Sequence, residues 1–141
     1  MVIPDANILI YAHFADTPQY RVASGWLEQQ LGRPETVVGL CWVTLWAFIR
    51  IGTNPRLWPK PPSIEVLFDR IDEWRNQPNV VLLNPGTRHQ AILKAMMLES
   101  GVVGGSDAVL AAMAIENAAT LASTDRDFRR FSGLRWVNPL D

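Results

Sequence analysis

Four short apolar runs, Met1–Pro4, Thr36–Cys41, Val80–Leu83 and Thr120–Ser123, are kept apart by stretches with helical periodicity. Strands separated in this way do not form hairpins. They line up in parallel, with the intervening helices packed on both faces. The expected fold is therefore α/β, a central, mostly parallel sheet of four to five strands in a three-layer α/β/α arrangement, with Arg135–Val137 as an edge strand. A chain of 141 residues is one domain by size, so 1–141 is read as a single unit. In such sheets the working crevice lies beyond the carboxyl ends of the strands. Residues just after each strand are thus the first place to look for chemistry.

The segments between the strands carry start and stop signals. Asp5 or Asn7 opens a helix directly after Pro4. Thr17-Pro18 reads as an N-cap and first helical position, for a helix that turns Val22, Trp26 and Leu27 inward and ends near Gly32. Trp42, Leu45, Trp46 and Ile49 fall on one apolar face, and Thr53-Asn54-Pro55 ends that helix. Ser63 caps a helix with an Ile64, Leu67, Phe68, Ile71, Trp74 stripe. Gly101 closes the helix that follows Asn84–Thr87, and Ser106 reads as the N-cap of an alanine-rich helix. Asp125-Arg126-Asp127-Phe128 opens a last short one.

Composition excludes several classes. With 48% hydrophobic and 19% charged residues the chain is globular and not disordered. No apolar run is long enough to cross a bilayer and the start lacks a basic leader, so the cytoplasm is the expected compartment. The single cysteine, Cys41, forms no intrachain disulfide and is read as a small buried apolar residue. A net charge of −1 argues against indiscriminate coating of nucleic acid. The cations are nevertheless skewed toward arginine, with only Lys60 and Lys94 as lysines, and arginine's planar fork suits phosphate.

Asp5 and Asp125 directly follow strands, Asp107 begins the helix leading into the fourth strand, and Asp127 lies two residues beyond Asp125. Topology gathers them along one rim. Carboxylates brought together either take up protons or bind a cation. With no histidine or cysteine beside them, the suitable cation is Mg²⁺ or Mn²⁺, whose bound water can attack a phosphodiester. Asn7, Ser123 and Thr124 can orient such waters or a phosphate oxygen, while Arg126, Arg129, Arg130 and Arg135 form a basic cluster beside the rim. Each of these residues also has a plain role, as a helix cap, a turn former or a solvated surface. His13 and His89 are isolated.

Three stretches, DANILIYA at 5–12, SDAVLAAMAIENAATLASTDRDFRRF at 106–131 and GLRWVNPL at 133–140, resemble the PIN domain, and more narrowly VapC-type toxins of toxin–antitoxin pairs. The resemblance implies a metal-dependent endoribonuclease, often acting on structured RNA such as tRNA, held inactive by a cognate antitoxin and usually a homodimer. It makes Asp5, Asp107 and Asp125 the metal-binding, catalytic aspartates; the closeness of Arg126, Arg129 and Arg130 to that pocket makes them the candidates for binding RNA. One departure is plain. The family's glutamate falls at about Ala47, and this chain has no acid between Glu35 and Glu65. Asp127 is the candidate for the missing charge. An alternative is a PIN-like module that binds RNA or a partner without cutting. A receiver domain also places aspartates at strand ends, but it needs a lysine near the last strand and none follows Lys94. For the antitoxin, Trp42, Trp46 and Trp58 are candidates for an exposed aromatic groove, and an inhibitor peptide that inserts an arginine into the acidic pocket would replace the metal's charge.

Overall fold

The computed structural model describes residues 1–141. Strand β1 (Val2–Pro4) runs straight into helix α1 (Ala6–His13), with Asp5 as its N-cap. Helix α2 (Tyr20–Leu31) leads to strand β2 (Val38–Cys41), which passes without a loop into helix α3 (Trp42–Gly52). Then come helix α4 (Ile64–Arg75), strand β3 (Val80–Leu83), helix α5 (His89–Ser100) and helix α6 (Asp107–Glu116). Strand β4 (Thr120–Ala122), a 3-10 turn at Arg126–Arg130 and strand β5 (Arg135–Val137) complete the chain.

All five strands are parallel, in the order β3-β2-β1-β4-β5. The chain winds outward from β1 to β3, then crosses back to β4 on the other side of β1. The order reverses between β1 and β4, which makes their carboxyl ends the switch point of the sheet.

Side chains alternate across the sheet with the period of a strand. Val2, Leu40 and Ala122 join one buried cluster with Leu9, Leu27, Leu45, Phe48, Leu67 and Trp74 from α1 to α4. Their strand neighbours Ile3, Cys41 and Leu121 face a second cluster with Met96, Leu110, Met113 and Phe128. These are the two outer layers of the three-layer arrangement. Burial in the second cluster pushes the Cys41 thiol up to about 12, which suits an inert packing residue.

Several boundaries differ from the sequence reading. Thr17 is not a cap: its hydroxyl donates to Phe14 O at 2.7 Å, Gln19 stands at the cap position, and the helix starts two residues later, at Tyr20. Ser106 occupies the cap position of α6 in a helical conformation and makes no cap hydrogen bond. Ser63 does cap α4, accepting from Val66 N at 3.2 Å, and Gly101 closes α5 with φ 71°. The apolar stripes are less covered than their spacing implies. Leu67, Ile71 and Trp74 are buried, but Val22, Ile64, Phe68 and Trp42 face solvent, and Trp46 is 62% exposed. The reason is layering: a helix on the outside of a sheet buries only the arc that meets its neighbours. Trp58 belongs to no exposed groove either. It stacks on Phe14 at 3.9 Å, and its indole donates to Ile51 O at 3.0 Å.

Candidate active site

The carboxyl ends of β1 and β4 are tied together by side chains. The Asp5 amide donates to Ala122 O at 2.8 Å, extending the ladder by one residue. One oxygen of the Asp5 carboxylate accepts from Ala6 N at 2.7 Å, satisfying a free donor of the helix start. The other accepts from the Ser123 hydroxyl at 2.7 Å and from Asn7 Nδ2 at 3.2 Å. Ser123 is fully buried. Its hydroxyl gives its single proton to Asp5 and accepts from Asn7 Nδ2 at 3.0 Å and from the Asp125 amide at 3.1 Å. That uses every bond a hydroxyl can make. Asn7 completes the link by accepting from the Thr124 amide at 3.2 Å.

The other acids approach from α6 and the 3-10 turn. Asp125 caps that turn, accepting from the Asp127 amide at 2.9 Å. Asp107, in the first turn of α6, accepts from Arg130 Nη2 at 3.2 Å, and Asp127 lies 4.0 Å from the same guanidinium. The charges feel one another. Burial raises the Asp5 carboxyl above its ordinary 3.8; the Ser123 and Ala6 hydrogen bonds pull it back, and the charges of Asp107 and Asp125 push it up again. Asp107 is raised by burial and then by Asp125, against the pull of Arg130, with a smaller push from Asp127. Asp5, Asp107 and Asp125 therefore share one electrostatic neighbourhood, with Asp127 at its exposed margin.

Beside Asp5 and Asn7 opens a cleft of about 190 Å³, walled by Val43, Thr44, Ala47 and Arg50 of α3 and by Ser106 and Leu110. Ala47 sits in this wall. The sequence reading did not single out Thr44 or Arg50. Their signal was present, since α3 follows β2 without a loop and residues 44, 47 and 50–51 recur on one helical face.

The donor set fits a hard divalent ion: carboxylate, amide and hydroxyl oxygens, with no nitrogen or sulfur ligand, and mutual repulsion that a cation would relieve. The Arg130 guanidinium is the cation standing against Asp107. No three acidic, histidine or cysteine side chains are close enough in this arrangement to share one ion. The basic cluster is largely engaged elsewhere. Arg126 pairs with Asp141 at 2.7 Å, Arg129 lies 5.3 Å over the Trp136 ring, and Arg135 donates to Ala118 O. His13 packs edge-on against Phe14 and Phe48, and burial lowers its pKa.

A five-stranded parallel sheet with acidic residues gathered at its switch point defines a class, and comparison with known proteins agrees with it. The PIN domain profile matches residues 2–134, and the chain belongs to the PIN-domain family. It is 38% identical over 141 residues to Ribonuclease VapC37 of Mycobacterium tuberculosis, covering 99% of this chain and 97% of that one. It is 37% identical to Ribonuclease VapC33 of the same species over 142 residues, covering 99% of each. Among solved structures, VapBC-1 from nontypeable Haemophilus influenzae superposes with a TM-score of 0.72 at 18% identity over the whole of both chains. FitAcB from Neisseria gonorrhoeae gives 0.71 at 19%, covering 99% and 98%. No helix is long and apolar enough to cross a membrane.

Proposed function

We propose that this chain is a divalent-metal-dependent endoribonuclease, the toxin of a toxin–antitoxin pair. The observation that carries the reading is geometric: Asp5 and Asp125 stand at the carboxyl ends of β1 and β4, joined through the Ser123 hydroxyl, and Asp107 opens α6 against Arg130 of the adjacent turn. Full-length similarity to proteins named ribonuclease VapC supports the reaction class.

Bound Mg²⁺ or Mn²⁺ would supply an acidified water and a Lewis acid for the phosphodiester. Asp5, Asp107 and Asp125 are the residues that would hold it, after side-chain movement that draws the three together, since in this arrangement no three acids are close enough to share one ion. Asp5 is pre-set by its bonds to Ala6, Ser123 and Asn7, so its oxygens do not have to be ordered on binding. Asp107 would give up Arg130 to hold the ion, which would free that guanidinium for a phosphate oxygen, and Asp127 would add negative potential from the margin. Asn7 and Thr124 keep the β4 turn against α1, so that Asp125 stays in reach. The antitoxin meets the exposed Trp42 and Trp46, and an inhibitor arginine would occupy the acidic pocket as Arg130 does now.

Purified protein should cut RNA when Mg²⁺ or Mn²⁺ is supplied and stop when it is chelated. Asp5→Asn and Asp107→Asn should each slow cleavage by at least about a hundredfold. A second reading, a binding module without cleavage, is favoured by Ala47, which leaves this wall of the cleft without an acid. Complex formation with RNA but no product with either metal would establish that reading in place of the first.

A further inference from the structure

One wall of the cleft beside Asp5 is not explained by the acidic residues. It is built by α3, which lines it with Thr44, Ala47, Arg50 and Ile51. Thr44 is 2% exposed, yet its Oγ1 has no hydrogen-bond partner. Other helical hydroxyls bond back to the preceding turn: Thr53 to Ile49 O at 2.8 Å and Ser100 to Met96 O at 2.7 Å. Thr44, in the first turn of α3, has no helical turn before it and does not bond back, so a buried hydroxyl in the wall of the cleft that Asp5 also lines has no partner within the chain. Threonine in a helix has two accessible χ1 rotamers, and Thr44 lines the cleft, so a ligand there can be met by rotation of its hydroxyl.

Arg50 is the only cation lining that cleft, and it forms none of the molecule's ion pairs. Its guanidinium lies 5.2 Å over the exposed Trp46 ring. Stacking steadies the side chain and leaves its N–H donors free. The arginines nearer in sequence to the aspartates are held by Asp141, Trp136 and Asp107.

A guanidinium fork and a nearby hydroxyl, carried by two residues that line one space, suit a tetrahedral oxyanion. We propose that Arg50 and Thr44 form a phosphate subsite for the RNA strand, on the wall where the family resemblance puts a glutamate. An acid at Ala47 would repel a phosphate there, and alanine admits it. The phosphate brings oxygens to the side of Asp5 that lacks a carboxylate, so RNA and metal bind cooperatively. The identity of the ligand rests on the ribonuclease reading, but the test needs neither metal nor turnover.

Binding of a short fluorescein-labelled single-stranded RNA is followed by anisotropy in chelator, at several salt concentrations. Arg50→Gln should weaken binding about tenfold and flatten the salt dependence by roughly one phosphate contact. Thr44→Val should weaken it about threefold without lowering the melting temperature, because it removes an unsatisfied hydroxyl and keeps the shape. Arg33→Gln, on the opposite rim, is the control and should bind as wild type does. An Arg50→Gln protein that matches this control overturns the proposal, and unchanged binding by Thr44→Val removes Thr44 from the subsite. If the binding losses appear but the wild-type protein cuts no RNA with either metal, the subsite stands and the ribonuclease reading falls.

Discussion

Asp5 combines two tasks that are usually separate, capping a helix and standing in an acidic pocket. As a cap it is stabilising; as a buried charge near Asp107 and Asp125 it is not, and its raised pKa records the balance. Asparagine caps as well as aspartate, but it offers one acceptor oxygen where Asp5 uses two, for Ala6 N on one side and for Ser123 Oγ and Asn7 Nδ2 on the other. Asp5→Asn should therefore be less stable than wild type, by about 1 kcal/mol or a few degrees in Tm. The pH dependence follows from linkage. With the native carboxyl raised, the wild-type contribution is fully present below the ordinary carboxyl pKa and is lost as pH rises through the raised native value, so the variant's deficit should be larger in acid than at neutral pH. Thermal melts at neutral pH and near pH 3.5 check this; a deficit that shrinks in acid would contradict it. Arg130 offers a second test at this scale. It neutralises Asp107 where a metal would sit. Arg130→Gln should tighten Mn²⁺ binding two- to fivefold by calorimetry, a modest change because the pair is partly exposed. Weaker binding would mean that the arginine supports the site and does not compete for it.

At the scale of elements, the decisive features are two strands that become helices without a loop. β1 delivers Asp5 and Asn7, and β2 delivers the wall from Thr44 to Arg50. This much was legible in the sequence, because a strand-like run followed at once by a helical pattern fixes where the next side chains emerge. The periodicity also located the helices, since spacing is local. It did not show how much of each stripe is covered. Nothing local marks Trp46, Ile64 and Phe68 as outward-facing, because coverage depends on which helices lie alongside. The arginine cluster shows the same limit. Sequence closeness to Asp125 suggests phosphate, while the partners of Arg126 and Arg130, Asp141 and Asp107, come from other elements and emerge only with the fold. The α3 wall gives the prediction proper to this scale. Ala47→Glu adds a carboxylate facing the cleft and should raise Mn²⁺ affinity about tenfold without RNA. Unchanged affinity would show that this wall does not face the ion.

For the whole molecule, the order β3-β2-β1-β4-β5 does what no single residue can. It reverses beside β1 and so brings positions more than a hundred residues apart, Asp5 and Ser123, into hydrogen-bond contact. The acidic rim was foreseeable from strands followed by aspartates, without knowing the strand order. The tie through Ser123 and Asn7 was not, because it requires knowing that β4 lies next to β1. This strand order brings the acidic residues to one edge of the sheet, where the Arg130 guanidinium stands against Asp107. The direct test is a crystal soaked in Mn²⁺ and measured for anomalous scattering. The account predicts a peak within about 2.0–2.5 Å of carboxylate oxygens of Asp5, Asp107 and Asp125, with Arg130 withdrawn. Manganese bound elsewhere, with Arg130 still on Asp107 and no peak among the three aspartates, would contradict it.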